Sequence, residues 1–550
     1  MIAAASPVAA VWAALPPALH KRLLFPADDP SLLLRLAQDH LGAMTAPSRR
    51  EILAPVFADM VLCAFESTFL DPQAASALSQ VQKQIPFLPP EAAAFAARLA
   101  SAAPASPEDG KEAERLLAKR NIQALQAFLD EKRHREKDPL FWLGPARRLG
   151  IHLGEGDWYE PWLASCALPE PVARILRADW HFSRRDWDQA AAGYEAALSR
   201  MPLPGLEIRL GECLRRLGQR EKAAGMWQRA LARRPWQINL ILRLTDCLQG
   251  RDLPGDIPPG KGHILLYSWN HEADLRQTLD SLAQSRLGSA RVLALDNGSS
   301  DGTSILLRAF ARRMGDAAEV ISLPVNIGAP AARNWLLAHE RVRDSDWAVF
   351  LDDDALVPPD WLEYFGAALK AYPQAGIIGC RVVEKAAPLT IQSADLHFDL
   401  QDETLRTGTH PGNNVLNDYI RGADFGQYSY LRPCVSVTGC CHLLTRQSRE
   451  TIGGFDLRFS PSQFDDFERD LRSADKGVLP AYQGYLAVRH IKRNNMVTGI
   501  TPEQQANVAG NLVKLWKTYS PEQVTAIARK DLRAASQDLR LRLQFLEQRR

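Results

Sequence analysis

Three consecutive aspartates, Asp352, Asp353 and Asp354, close the apolar run VFL and precede the turn residues of ALVPPDW. Adjacent carboxylates repel one another, so placing them together calls for a cation. Carboxylate oxygens are hard ligands suited to Mg2+ or Mn2+, which commonly take one or two protein carboxylates and fill the remaining positions with water and substrate phosphates. In extended backbone, Asp352 and Asp354 leave one face and Asp353 points elsewhere. The bland alternative is an acidic helix start, which the helix dipole favours. His490 follows the strand-like run YLAVRH. Its imidazole suits a divalent ion as well as a structural hydrogen bond. Lys492 and Arg493 come directly after it, either to meet phosphate oxygens or as solvated charges.

These residues need a scaffold to position them. HILLYS, RVLALD, EVISLP and WAVFLD are short apolar runs. They alternate with helical patterns starting near Glu272, Asp301, Gly328 and Pro358. Near-continuous apolar strands alternating with helices predict an α/β, mostly parallel sheet covered on both faces. Ligands of such sheets bind at the carboxyl ends of the strands. Polar residues cluster at those ends: Ser268 to Glu272, Asp296 to Asp301, Asn326 and the three aspartates. Beyond about residue 390 the alternation loosens into a loop-rich segment with GTHPGNN and RGADFGQYSY, followed by CVSVTGCCHLLT and FSPSQFDDFERDLR.

Taken in order, ILLYSWNHEADLRQTLDSL, LALDNGSSDGTSILL, PVNIGAPAARNWLLAH and VFLDDDALVPPDWL resemble the nucleotide-binding half of family 2 inverting glycosyltransferases of the GT-A fold. VTGCCHLLTRQSRETIGGFD, FDDFERDLR and HIKR resemble that family's acceptor half. The resemblance covers about residues 262–495. It implies a metal-dependent enzyme that moves a sugar from a nucleotide-diphosphate donor to an acceptor hydroxyl. A UDP-sugar is the favoured donor, with GDP- or dTDP-sugars as alternatives, and Mn2+ or Mg2+ is the implied metal. By the same resemblance, Ser268, Trp269, Glu272, Asp296, Asn326, Arg333, Asp352 and Asp353 serve the donor. Asp354 and His490 hold the metal. Asp466 is the base that takes the acceptor's proton, and Asp465 orients acceptor hydroxyls. Asp301 is expected to cap the next helix, and Gly328 to permit close helix–sheet packing.

The rest of the 550-residue chain reads as helical. Residues 1–100 are helices broken by Pro-rich turns, 101–110 is a linker or exposed loop, and 111–250 is a helical-repeat region. In the last of these, Ala190, Tyr194, Ala197 and Pro202 recur as Ala223, Trp227, Ala230 and Pro235, each offset by 33 residues. This resembles the tetratricopeptide repeat, with its period of about 34. Such repeats either hold a peptide or prop up a neighbouring domain; the first makes a peptide or protein, such as a surface protein, the candidate acceptor, with a lipid-linked or surface glycan as the alternative. A Pro/Gly linker, 252–262, leads into the catalytic span 262–500. Residues 501–550 are amphipathic helices that pack on the protein or touch an anionic membrane.

A net charge of +2 gives no basis for nucleic-acid binding. Eight scattered cysteines argue against a disulfide framework. The N-terminus lacks the basic flank of a signal peptide, and no run reaches the length of a transmembrane helix. A cytoplasmic protein, peripheral to the inner membrane at most, is the expectation. Two alternatives stay open: a helical-repeat scaffold carrying an inactive nucleotide-sugar fold, and a phosphatase using the D-x-D loop. The second would place that loop after the first strand of its domain, not the fourth.

Overall fold

The computed structural model describes residues 8–45, 47–104, 106–136, 138–400, 415–420, 422–491 and 501–549. GTHPGNN, Lys492 and Arg493 lie outside them. Helices fill the chain from Val8–Ala14 to Ile238–Gln249. Many of them begin on proline, including Pro30, Pro72, Pro90, Pro107 and Pro204. Proline suits the first helical position because its missing N–H would have no partner there and its φ is already helical. The expected linker over 101–110 is therefore shortened. Ser106 caps a helix that runs Pro107–Ala118.

The repeat residues sit on paired helices, Glu170–Ser183 with Trp187–Leu198 and Pro204–Arg216 with Arg220–Arg233. Ala190, Tyr194 and Ala197 are fully buried, as are Ala223, Trp227 and Ala230. Small residues let the helices approach, and the aromatic ring one turn on fills the space between them.

The C-terminal half is built on strands β1 (Gly262–Ser268), β2 (Arg291–Asp296), β3 (Ala318–Ser322), β4 (Trp347–Asp352), β5 (Ala355–Leu356), β6 (Ile377–Glu384), β7 (Ile391–Ser393), β8 (His397–Phe398), β9 (Val415–Leu416), β10 (Leu431–Pro433), β11 (Cys441–Thr445) and β12 (Ala481–His490). The main sheet has the order β10-β12-β6-β11-β4-β1-β2-β3, with β5 on β12 and β7 on β6; β8 and β9 pair separately. β3, β2, β1 and β4 are mutually parallel, β6 and β12 are parallel, and β11 runs antiparallel between β4 and β6. The carboxyl ends of β1, β2, β4, β6 and β12 therefore face the same way. Helices start at Glu272, Thr303, Ala329 and Trp361, close to the expected positions. The α/β architecture, with an all-α region before it and helices after it, is the one the sequence predicts.

Strand alternation divides the core. Ile264, Leu266, Val292, Ala294, Val349 and Leu351 join a core under one face of the sheet. Leu265, Leu293, Ala348 and Phe350 join another that runs without a break into the N-terminal helices. Buried polar ties reinforce this junction. Asp246 accepts from the Leu431 N–H (2.8 Å) and pairs with Arg542 (2.7 Å) on the Pro521–Glu547 helix. Tyr372 donates to Asp538 of that helix at 2.9 Å. The C-terminal helix is thus packed back on its own protein. Among the described residues, no helix is long and apolar enough to cross a membrane.

Candidate active site

β4 ends at Asp352, and the chain then turns at Asp353–Asp354 instead of remaining extended. The turn still separates the three side chains. Asp353 accepts from the Ser268 hydroxyl (2.5 Å) at the end of β1 and pairs with His271 Nδ1 (3.1 Å). Asp354 is buried, with its Oδ1 2.9 Å from His490 Nε2. A carboxylate oxygen of Asp352, the Cys440 sulfur and a ring nitrogen of His490 all lie within 4.8 Å of one another. Asp354 thus meets His490, and a turn brings Asp352, expected on the donor side, close to His490 as well. Oxygen and nitrogen donors from two strand ends make a set that fits a divalent cation.

Arg333 organises the other side. It is buried, 2.6 Å from Asp465 and 3.5 Å from Asp352, with its guanidinium over the Tyr267 and Phe455 rings. It therefore joins the end of β4 to the start of the Asp465–Asp475 helix. Burial pushes the Asp465 carboxyl up, with Arg333 opposing that shift. Burial likewise pushes Asp352 to about 7, against the pull of Arg333 and reinforced by Asp354.

Asp466 is only half-buried. It accepts from the Gly439 N–H (2.5 Å) and from the Phe467 N–H (2.8 Å). A β-carbon on Gly439 would lie 2.8 Å from an Asp466 oxygen and 3.0 Å from Arg333, so only glycine lets the backbone come this close. Gly439 holds Asp466, while its neighbour Cys440 belongs to the Asp352–His490 cluster. One dipeptide therefore joins the helix-start carboxylates to the strand-end group.

The remaining sequence-predicted residues line the strand ends. Ser268 is buried, whereas Trp269 is half-exposed at the rim. Asp296 accepts from the Ser299 N–H (3.0 Å). Asn326 is exposed, and its side-chain oxygen accepts from Asn297 Nδ2 (2.9 Å) and the Gly328 N–H (2.8 Å). It braces the loop ahead of the Ala329–Ala338 helix. Glu272 starts its own helix, and its N–H donates to Asp301 (3.2 Å). Asp301 also accepts from the Thr303 N–H (2.9 Å), but the cap position itself falls to Gly302, one residue later than expected. Gly328 departs from expectation. It adopts a φ of +82° at its helix start, and the nearest foreign backbone belongs to Pro461, not to the sheet. Left-handed backbone at a helix entry, rather than helix–sheet contact, accounts for glycine there.

Two residues of the cluster were not read from the sequence. His271 lies inside the quoted YSWNHE stretch. Its hydrogen bond to Asp353 outweighs burial and raises its pKa to about 9, so it is cationic at neutral pH. Cys440 follows Thr-Gly ahead of an apolar strand, a context that reads as core.

Residues 264–448 match the model of Glycosyl transferase family 2. Among curated proteins, the chain is similar to the O-antigen biosynthesis protein RfbC of Myxococcus xanthus, with 27% identity over 208 residues. That match covers 37% of this chain but only 15% of the relative's length. Similar solved structures include GalNAc-T7 crystallised with UDP, GalNAc and Mn2+ (13% identity, 49% of each chain, TM-score 0.36). Another is the mannosyltransferase PcManGT from Pyrobaculum calidifontis with GDP-Man and Mn2+ (16% identity, 54% of this chain and 86% of that one, TM-score 0.32).

Proposed function

With residues 264–448 as a glycosyl transferase family 2 domain, we propose that this chain is a metal-dependent inverting glycosyltransferase. It would move a sugar from a nucleotide-diphosphate donor to an acceptor hydroxyl. The observation that carries this reading is the Gly439–Cys440 junction, which sets a half-exposed carboxylate beside a cluster of cation-ligating groups.

Asp354, His490 and Asp352 would hold the divalent ion. When bound, the ion offsets charge developing on the departing diphosphate. Ser268, Trp269, Glu272, Asp296, Asn326 and Asp353 line the strand ends where base and ribose would lie. Asp466, accessible and oriented by two backbone N–H groups, takes the acceptor's proton. Asp465, tied to Arg333, holds its helix start against β4 and orients the acceptor.

The acceptor is proposed to be a protein or surface glycan approaching over the helical region. That region meets the sheet beside the cluster: Arg120 pairs with Glu384 at 3.4 Å, and Glu384 lies opposite His490 in the β6–β12 register. A thermal-shift panel of UDP, GDP, dTDP and CMP, each with and without Mn2+, tests the reading. A nucleoside diphosphate that stabilises the protein only with Mn2+ supports it; at about 100 times Kd the gain is about 2.7 kcal/mol. Metal-independent stabilisation by CMP, or transfer that survives Asp466→Asn, overturns it.

A further inference from the structure

The metal-binding reading above assigns no role to Cys440, yet its position is specified from both sides. The Asp352 N–H donates to the Cys440 carbonyl at 2.8 Å, and the antiparallel register sets Cys441 opposite Leu351, so Cys440 abuts the Asp352 strand end. Its sulfur then lies within 4.8 Å of an Asp352 oxygen and a His490 nitrogen. His490 in turn touches Asp354. Buried thiols elsewhere behave as small hydrophobes. This one joins the apolar core on one side, yet its sulfur also faces a carboxylate and an imidazole.

We infer that Cys440 is a further ligand of the metal site, giving it mixed oxygen, nitrogen and sulfur donors that take a thiophilic divalent ion ahead of Mg2+. The inference rests on the metal-binding reading above and adds a ligand to it. Thiolate and imidazole suit zinc and its transition-metal neighbours, whereas Mg2+ prefers oxygen alone. Coordination displaces the thiol proton to solvent.

Titrating the full-length protein with Co2+ tests this without any measurement of turnover. Visible cobalt bands report that the site is loaded, and near-ultraviolet sulfur-to-cobalt charge transfer reports that sulfur is a ligand. Both are expected in the unmodified protein. Cys440→Ser should keep the visible bands, lose the charge-transfer band and weaken zinc binding about ten- to a hundredfold, at least the cost of losing an outer-shell partner. Cys166→Ser, at the half-buried cysteine, should change neither. Visible bands without charge transfer in the unmodified protein overturn the sulfur ligand while leaving the metal reading standing. A charge-transfer band that survives Cys440→Ser does the same. Absence of all cobalt bands overturns both. If Cys440→Ser fails to fold, Cys440→Ala supplies the same comparison, and absence of the charge-transfer band in the unmodified protein overturns the sulfur ligand without either variant.

Discussion

Two of the places where the molecule buries charge treat it differently. In the N-terminal helices, Arg234 reaches both Asp59 oxygens (2.9 and 3.0 Å) and Glu66 (2.5 Å). Trp236 and the Gly205 N–H meet the same two carboxylates (2.7 and 2.9 Å). Arg147, Arg209 and Tyr194 close around Asp179 in the same way. Each of these carboxylate oxygens has a protein donor. At the strand ends, five carboxylates gather around Arg333, His271 and His490. Among the described residues there, carboxylates outnumber the cationic groups, and Asp466 is half-exposed. Carboxylates met on every oxygen by protein donors hold a fold together, whereas a carboxylate-rich cluster at the strand ends carries the perturbed groups that mark a candidate site.

Removing chemistry should separate the two networks most clearly. Asp466→Asn is expected to lower transfer about 10²–10⁴-fold, the usual contribution of a general base, with nucleotide-dependent stabilisation unchanged. Product formation with the donor and acceptor in excess measures it.

The next contrast sets one arginine against the other. Arg234→Ala strands Asp59 and Glu66 in the core, and breaking a buried pair costs about 3–5 kcal/mol. Denaturant unfolding should show that loss, with activity per folded molecule retained. Arg333→Ala should also destabilise, but transfer should fall further than folding explains, because Asp352 and Asp465 lose the group that links them. Equal activity per folded molecule in both variants would erase the distinction.

A third probe lies between the two networks. His397 sits between Asp395 (2.8 Å) and Asp531 (3.0 Å), which ties the C-terminal helix to the core. Burial works against its charge, but Asp531 and Asp395 outweigh that and raise its pKa above 6.5. A raised folded-state pKa stabilises fully below pH 6.5, and the stabilisation is lost as pH rises through the folded value, at about 1.4 kcal/mol for each pH unit between the unfolded and folded values. Tm should therefore fall on the alkaline side of 6.5, and His397→Gln should flatten that slope. The smallest effect is expected at the surface. Arg98→Ala removes an exposed pair with Asp138 (3.0 Å), worth about 0–1 kcal/mol, and should barely move Tm.

Much of this was legible along the chain. Apolar runs gave the strands, and the polar residues after them marked the edge where Asp352, Asp354 and His490 meet. The separation of Asp353 was also foreseen, though from extended geometry instead of the turn that produces it. His271 and Cys440 were not foreseen, because a histidine in a loop and a cysteine before a strand have ordinary structural explanations. The contact of Gly328 with Pro461 escapes the sequence because Pro461 lies in a distant loop. The core that runs from the helices into the sheet joins residues too far apart in the chain for any local pattern to show.

Hydrophobic period acts over a few residues, so the sequence by itself determined the order of strands and helices and the placing of carboxylates at their ends. Arg333 and Asp465 are 132 positions apart, and no local pattern encodes their contact. The insertion of β11 beside β4 sets Gly439 against Asp466 and Cys440 beside Asp352. Only the packed sheet could decide which aspartate pairs with Arg333, which one meets His490 and which stays half-exposed.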